Sequence, residues 1–314
     1  MYRTSLGNGA SLGDWIRAIY NACGPGIPEP HRPRCRLQTE RGGPLIIWTI
    51  PYFDTPDLGP IEPWGLCVAT GVIVGLIIGT RRAERLGLDT EAVSGLAAWF
   101  LMGGFVGARL MHVFAYRWVD YADNLWEIPM MWKGGMSSYG GFIGAAIAGI
   151  VYIRRTQINL WRYGDLVSYG FMPGWTIGRI GCFLIHDHPG AKSDFFLAVE
   201  MRVQEAGQTL FQNLPIEARH DLGLYDGILS LCMWIIFAVS DRKPRFSGFY
   251  LGAMCALYSI PRFFLDFLRA TDLEVSDTRY GGLTPAQYGS IILLFVGAWI
   301  LWKRRNEAPG NIAQ

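Results

Sequence analysis

The chain has 314 residues, of which 51% are hydrophobic and only 17% charged, with 12 Trp and 39 Gly, and its mean hydropathy is +0.20. Lys and Arg total 28 against 26 Asp and Glu, a balance that gives no basic excess for nucleic acid. The six cysteines form no CxxC pair, so neither a metal nor another cofactor is expected.

In chain order, residues 1–43 carry six Lys and Arg and no apolar stretch like that of a signal peptide. They are expected to be a flexible external extension, with Cys23 and Cys35 free to form a disulfide there. Apolar windows of about 20 residues, the length that crosses a bilayer, follow at 61–80, 93–116, 137–153, 166–185, 223–240, 247–268 and 285–302. The predicted architecture is an all-α membrane protein of seven transmembrane helices over residues 44–305, with a small external subdomain at 186–222 and a cytoplasmic tail at 306–314. Gly170, Pro173, Gly174 and Gly178 interrupt the fourth window, which is tolerable where neighbouring helices satisfy the backbone.

Basic residues orient this bundle. The loops after the first, third and fifth windows and the C-terminal tail hold twelve Lys and Arg, among them Arg81, Arg82, Arg154, Arg242 and Lys303, whereas the longer opposite loops hold seven. Positive residues favour the cytoplasmic side, so the N-terminus is expected outside and the C-terminus inside.

Polar residues within the spans are then placed by depth. Arg179 and Arg262 each lie six residues from an outer end, about 9 Å deep at 1.5 Å per residue. A guanidinium there costs about +2.5 to +3.5 kcal/mol even on a lenient insertion scale, so an anionic partner is expected. Tyr139, Tyr225, Asp226 and Gln287 begin helices at the same side, and Arg109 and His112 lie near it, which reads as a polar site open to the outer leaflet. The planar fork of arginine suits a lipid phosphate. An Arg262–Asp266 or Arg179–Asp266 ion pair that only locks helices together is the competing reading, since Arg262, Asp266 and Arg269 share one helical face. The run Gly134-Gly135-Met136-Ser137-Ser138-Tyr139-Gly140-Gly141 either presents helix N-terminal amides to an anion or packs helices closely.

These blocks, followed by Gly178-Arg179-Ile180-Gly181-Cys182-Phe183, His220…Tyr225-Asp226, Arg262-Phe263-Phe264-Leu265-Asp266-Phe267-Leu268-Arg269 and Leu283-Thr284-Pro285-Ala286-Gln287, resemble the bacterial prolipoprotein diacylglyceryl transferase family in order and spacing. The resemblance covers about residues 45–305. It implies a bacterial inner-membrane enzyme, surrounded by membrane lipids, that moves the diacylglyceryl group of phosphatidylglycerol to the lipobox cysteine of a prolipoprotein and releases glycerol phosphate. It implies catalytic roles for Tyr139, Arg179 and Arg262. Substrate contacts fall on Trp64, Gly134, Gly135, Ser138, Gly140, Gly141, Asp187, Gly190, Tyr225, Asp226, Asp266, Arg269 and Gln287.

The chain departs from the family pattern at Tyr139, where the family has His, at Cys182, where it has Asn, and at Asp187, Asp226 and Asp266, where it has Glu. Tyr139 can serve as the base for the substrate thiol or as a hydrogen-bond donor, with His112, His186 or His188 then taking the proton. Cys182, one turn from Arg179, is either a nucleophile or packing. A phospholipid-binding protein without catalysis, or a lipid transferase with another acceptor, are the alternatives.

Overall fold

The computed structural model describes residues 49–55, 58–59, 62–122, 124–130, 135–202, 216–273 and 279–307. Gly134, Cys23 and Cys35 fall outside these. The chain divides into two compact units, one of residues 1–54 with 192–220, the other of 55–191 with 221–314.

The larger unit is helical. Among the described residues it contains seven long helices: α1 (Pro63–Arg85), α2 (Thr90–Met111), α3 (Ser138–Thr156), α4 (Leu160–Ile185), α5 (Leu222–Ser240), α6 (Phe249–Leu265) and α7 (Pro285–Arg304). Each coincides with one predicted window. Five of them, α1, α2 with its π-helical extension to Tyr116, α5, α6 with its extension to Leu268, and α7, are long and apolar enough to cross a membrane. The other two are diluted by glycine, serine and charged residues.

Local chemistry sets the helix starts. Asp89, Ser137, Asn159, Asp221 and Thr284 each accept an amide hydrogen bond from the first turn of their helix, satisfying donors that a helix cannot pair internally. Thr284 and Gln287 add a reciprocal capping box under Pro285.

Small residues set the packing. A Cβ on Gly75 would come within 2.8 Å of the Gly170 carbonyl oxygen, and one on Gly174 within 2.6 Å of the Gly71 carbonyl oxygen. The glycines that interrupt the fourth window are thus the contact that lets α1 approach α4, and α4 runs unbroken past Pro173. Gly103 and Gly107 on α2 meet Gly144 on α3 in the same way, with Cβ-to-carbonyl or Cβ-to-Cα approaches of 2.6 to 2.8 Å.

Polar residues lie buried at both ends of this unit, which corrects the expectation that they gather at one. At the end away from Arg179, Arg82 is ion-paired with Asp241, and its guanidinium lies 4.2 Å from the centre of the Tyr169 ring and 4.5 Å from that of Tyr250. Tyr250 donates to Asp241 over 3.1 Å. Asp165 on α4 accepts from the Gly248 and Leu251 amides, at 2.7 and 2.9 Å, and so caps α6 from across the interface.

A short strand, β1 (Pro189–Lys192), follows α4. The smaller unit contains β2 (Val199–Arg202) and nearly all of β3 (Ile216–Asp221), which are antiparallel in the register Val199 to Arg219 through Arg202 to Ile216. Ile50 adds a parallel bridge to Val199. Arg219 is fully buried here and is held by Glu217 Oε2 at 3.1 Å from Nε and 2.8 Å from Nη2.

Candidate active site

Arg179 lies six residues before the end of α4. Its Nε is 2.7 Å from Asp226 Oδ2 on the first turn of α5, with both side chains largely buried. Its guanidinium lies 4.4 Å from the centre of the Trp175 ring, one turn back along α4. Its Nη1 donates to the Cys182 sulfur at 3.6 Å. The anionic partner expected from the sequence is thus Asp226 rather than Asp266. Asp226 Oδ2 also accepts from the Tyr258 hydroxyl at 3.0 Å, while Oδ1 is buried without a hydrogen-bond partner among the described residues.

Arg262 belongs to the second half of the same region. Its Nη1 donates to Asp266 Oδ1 at 3.1 Å, and Arg269 Nη1 stands 3.7 Å from that oxygen. Asp266 is fully buried, and its other oxygen accepts from the Thr284 hydroxyl. The Arg262–Asp266 pair of the competing reading is therefore present. Gln287 acts through Thr284: its Oε1 accepts the Thr284 amide at 2.9 Å, and its Nε2 donates to the Phe263 carbonyl at 3.2 Å.

Tyr258 joins the halves. It lies one turn before Arg262 on α6, and both Arg179 and Arg262 act electrostatically on its hydroxyl. The sequence reading missed both Tyr258 and Thr284. The four-residue spacing from Tyr258 to Arg262 and the Thr284-x-x-Gln287 capping pattern were the available signals.

The start of α3 reaches the site through aromatic rings. Phe142, three residues after Tyr139, lies 5.8 Å between ring centres from Trp175, the ring that carries Arg179. Tyr139 itself is half-buried and Ser138 exposed. Gly140 faces α2, where an added Cβ would collide with the Gly107 carbonyl and Met111, and Gly141 lies 3.6 Å by the same measure from the Gly104 carbonyl. Gly135 has φ +76°, open to glycine at little cost. Its carbonyl accepts from Nη1 of the buried Arg109 at 3.1 Å, while Nε and Nη2 of that guanidinium donate to the Ile128 and Glu127 carbonyls, each at 2.7 Å. Trp64, the second residue of α1, stands where a Cβ on Gly181 would meet its Cα at 3.2 Å.

The turn after α4 completes the region. Asp187 is hydrogen-bonded to His188 Nδ1, and the polar atoms of Cys182, Asp187 and His188 lie within 4.8 Å of one another. Burial works against a charge on His188, but its bonds to Asp187 and Cys182 outweigh this and raise its pKa to about 9. Gly190 is buried and forms an antiparallel bridge with Arg269, and Tyr225 lines an apolar groove of about 640 Å³ between α5 and α6. His186 Nδ1 faces Asp221 at 3.4 Å, and the His112 ring lies against Gly135.

Apolar helices of spanning length define a multi-pass membrane protein, here with buried arginine–carboxylate pairs at both ends of the helical unit. The family model for prolipoprotein diacylglyceryl transferase matches residues 55–303, and the chain belongs to that family. It is 30% identical over 271 residues to the phosphatidylglycerol–prolipoprotein diacylglyceryl transferase of Staphylococcus carnosus (strain TM300), an alignment covering 84% of this chain and 95% of that one. The enzyme of the same name from Synechococcus elongatus is 29% identical over 282 residues, covering 86% and 91%, and that from Chromohalobacter salexigens 30% over 254, covering 79% and 91%.

Proposed function

We propose that the protein transfers the diacylglyceryl group of phosphatidylglycerol to the lipobox cysteine of a prolipoprotein, releasing glycerol phosphate. The observation that carries this reading is the buried Arg179–Asp226 pair, in which the cation is fixed by a carboxylate that keeps one oxygen without a hydrogen-bond partner. A buried acceptor without a donor is costly. The glycerol headgroup of phosphatidylglycerol brings both what Arg179 wants, a phosphate, and what Asp226 Oδ1 lacks, a hydroxyl donor.

In this reading Arg179 and Arg262 bind the phosphate. The lipobox thiolate attacks the adjoining glyceryl carbon, the carbon–oxygen bond to the phosphate breaks, and the arginines stabilise the leaving anion more as its charge grows. Tyr139 takes the thiol proton or donates to the reacting group. Asp266, held by Thr284 and Gln287, fixes Arg262 and Arg269. Trp64, Gly135, Ser138, Gly140, Gly141, Asp187, Gly190 and Tyr225 shape the surrounding walls. All seven long helices cross the bacterial inner membrane, with the N-terminus periplasmic, the C-terminus cytoplasmic and residues 186–222 external, as the basic loops favour.

The test is release of glycerol phosphate from phosphatidylglycerol by the purified chain with and without a lipobox peptide. Release that requires the peptide, with a lipidated peptide as the second product, is the expected result. Lipid binding with no release would move the assignment to a lipid-binding protein; release with a different acceptor would keep the transferase and change its partner.

A further inference from the structure

Two cationic groups converge on one sulfur. Arg179 Nη1 donates to Cys182 Sγ at 3.6 Å, and a ring nitrogen of His188, on the turn after α4, lies within 4.8 Å of the same sulfur. Each is held by a carboxylate of its own: Arg179 by Asp226 at 2.7 Å, His188 by Asp187 through Nδ1. A thiol is a weak acceptor for two such donors, whereas a phosphate oxygen accepts charged donors strongly. The arrangement is that of an anion site whose resident group is a poor substitute for an oxyanion.

We infer that His188 is a catalytic residue that contacts the lipid phosphate beside Arg179 and, as an imidazolium, stabilises the charge that gathers on the departing glycerol phosphate. This rests on the transferase reading above. The bonds balance as follows: sulfur bonds to the glyceryl carbon, and the carbon–oxygen bond breaks with its electron pair passing to the phosphate oxygen. A singly charged diester thereby becomes a doubly charged monoester within the membrane, where charge is costly, and two cations, Arg179 and the imidazolium, meet that growing charge. The imidazolium keeps its proton, since a monoester with a second pKa of about 6 is the weaker base. The thiol proton departs separately, through Tyr139.

The groups that face His188 are Asp187 on its own turn and Cys182 and Arg179 from α4. Burial and Arg179 oppose its charge, while Asp187 and Cys182 sustain it up to about pH 9. At neutral pH the ring is therefore a donor and not a base.

The test uses the full chain in micelles containing phosphatidylglycerol, with a lipobox peptide. His188→Gln is expected to lower glycerol phosphate release about 10²-fold. Wild-type turnover falls as pH rises through about 9; Asp187→Asn draws that fall toward the free-imidazole value near 6.5, and His188→Gln lacks it. A residue that only supports the fold would not move this limb. Binding of glycerol phosphate is the second readout and needs no turnover: it weakens about tenfold in His188→Gln, the scale of one charge-assisted hydrogen bond. Unchanged release, limb and binding in His188→Gln would overturn the inference. If His188→Gln does not fold, the limb in Asp187→Asn decides, and a limb that stays near the wild-type position overturns it equally. Wild-type protein that binds glycerol phosphate through His188 yet releases none removes the catalytic role and the transferase reading while leaving the phosphate contact standing.

Discussion

The two ends of the helical unit are built from the same parts. Each holds a buried arginine, an aspartate from α5 or its C-cap, and a tyrosine from α6: Arg82, Asp241 and Tyr250 at one end, Arg179, Asp226 and Tyr258 at the other. The difference lies in what remains open. Arg82 lies against two tyrosine rings with its Nε buried and without a hydrogen-bond partner among the described residues, and the nearby Asp165 spends both carboxylate oxygens on α6 amides. Arg179 lies against one ring, donates to a thiol, and pairs with a carboxylate that retains a buried oxygen without a partner. Similar chemistry thus makes a clamp where the leftover group is a donor pressed between aromatic rings, and a candidate site where it is a carboxylate oxygen that a ligand hydroxyl can fill.

Lysine substitutions break the comparison most sharply. Arg179→Lys and Arg262→Lys keep a cation but lose the planar fork. They should lower turnover by about 10²–10³, the scale of one lost anion-stabilising donor in a preorganised site, with folding intact. Arg82→Lys loses contacts with two rings and should lower thermal stability, while turnover per folded molecule stays within about twofold because no reacting group is near. Turnover of both site variants at the wild-type level would remove the phosphate role; unfolding of both would make that end a clamp as well.

Tyr139→Phe comes next, at about 10²-fold in turnover if the hydroxyl serves as base or donor. The ring and its packing survive this change, so stability should barely move. Tyr139→His should retain or raise activity, since imidazole titrates near pH 6.5. Full activity in Tyr139→Phe would transfer the thiol proton to another group.

Most of this fold was readable because apolar windows of spanning length leave little choice. All seven predicted windows fall on long helices, and the glycines that made the fourth look broken are its contact with α1. Its first turns were missed, since Trp161, Arg162, Tyr163 and Asp165 read as a loop until Asn159 is seen capping them. The buried arginines and their need for an anion were equally legible, because an unpaired guanidinium at that depth is costly whatever its surroundings. Which carboxylate answers each was not. Asp266 is four residues from Arg262 and could be paired on helical spacing alone. Asp226 meets Arg179 only because α5 packs on α4, a relation that no local pattern encodes. The Arg82 cluster was missed for the same reason: Arg82 counted as one of many basic loop residues, and its partners come from α4, α5 and α6.

The smallest effects sharpen the comparison furthest, because they apply one change to matched positions. Tyr250 and Tyr258 are eight residues apart on α6, and each donates to the aspartate that pairs with a buried arginine, at 3.1 and 3.0 Å. Replacing either with Phe removes one hydrogen bond to a carboxylate, which should lower stability by about 1.5–3 kcal/mol. The consequences for turnover should differ. At Tyr250 the loss falls on a cluster away from the site, and activity should not change. At Tyr258 Asp226 Oδ2 loses a donor beside an Oδ1 that already lacks one, so the carboxylate is freer to turn, and Arg179 is less well fixed for the phosphate. Tyr258→Phe should therefore lower turnover by about tenfold, since a 1.4 kcal/mol change in a transition-state contact is a factor of ten. Measuring melting temperature and glycerol phosphate release on both variants separates the terms. Equal stability losses with unequal turnover would mark the Arg179 end as the working one. Equal turnover in the two variants would show that the hydroxyl of Tyr258 is as purely structural as that of Tyr250.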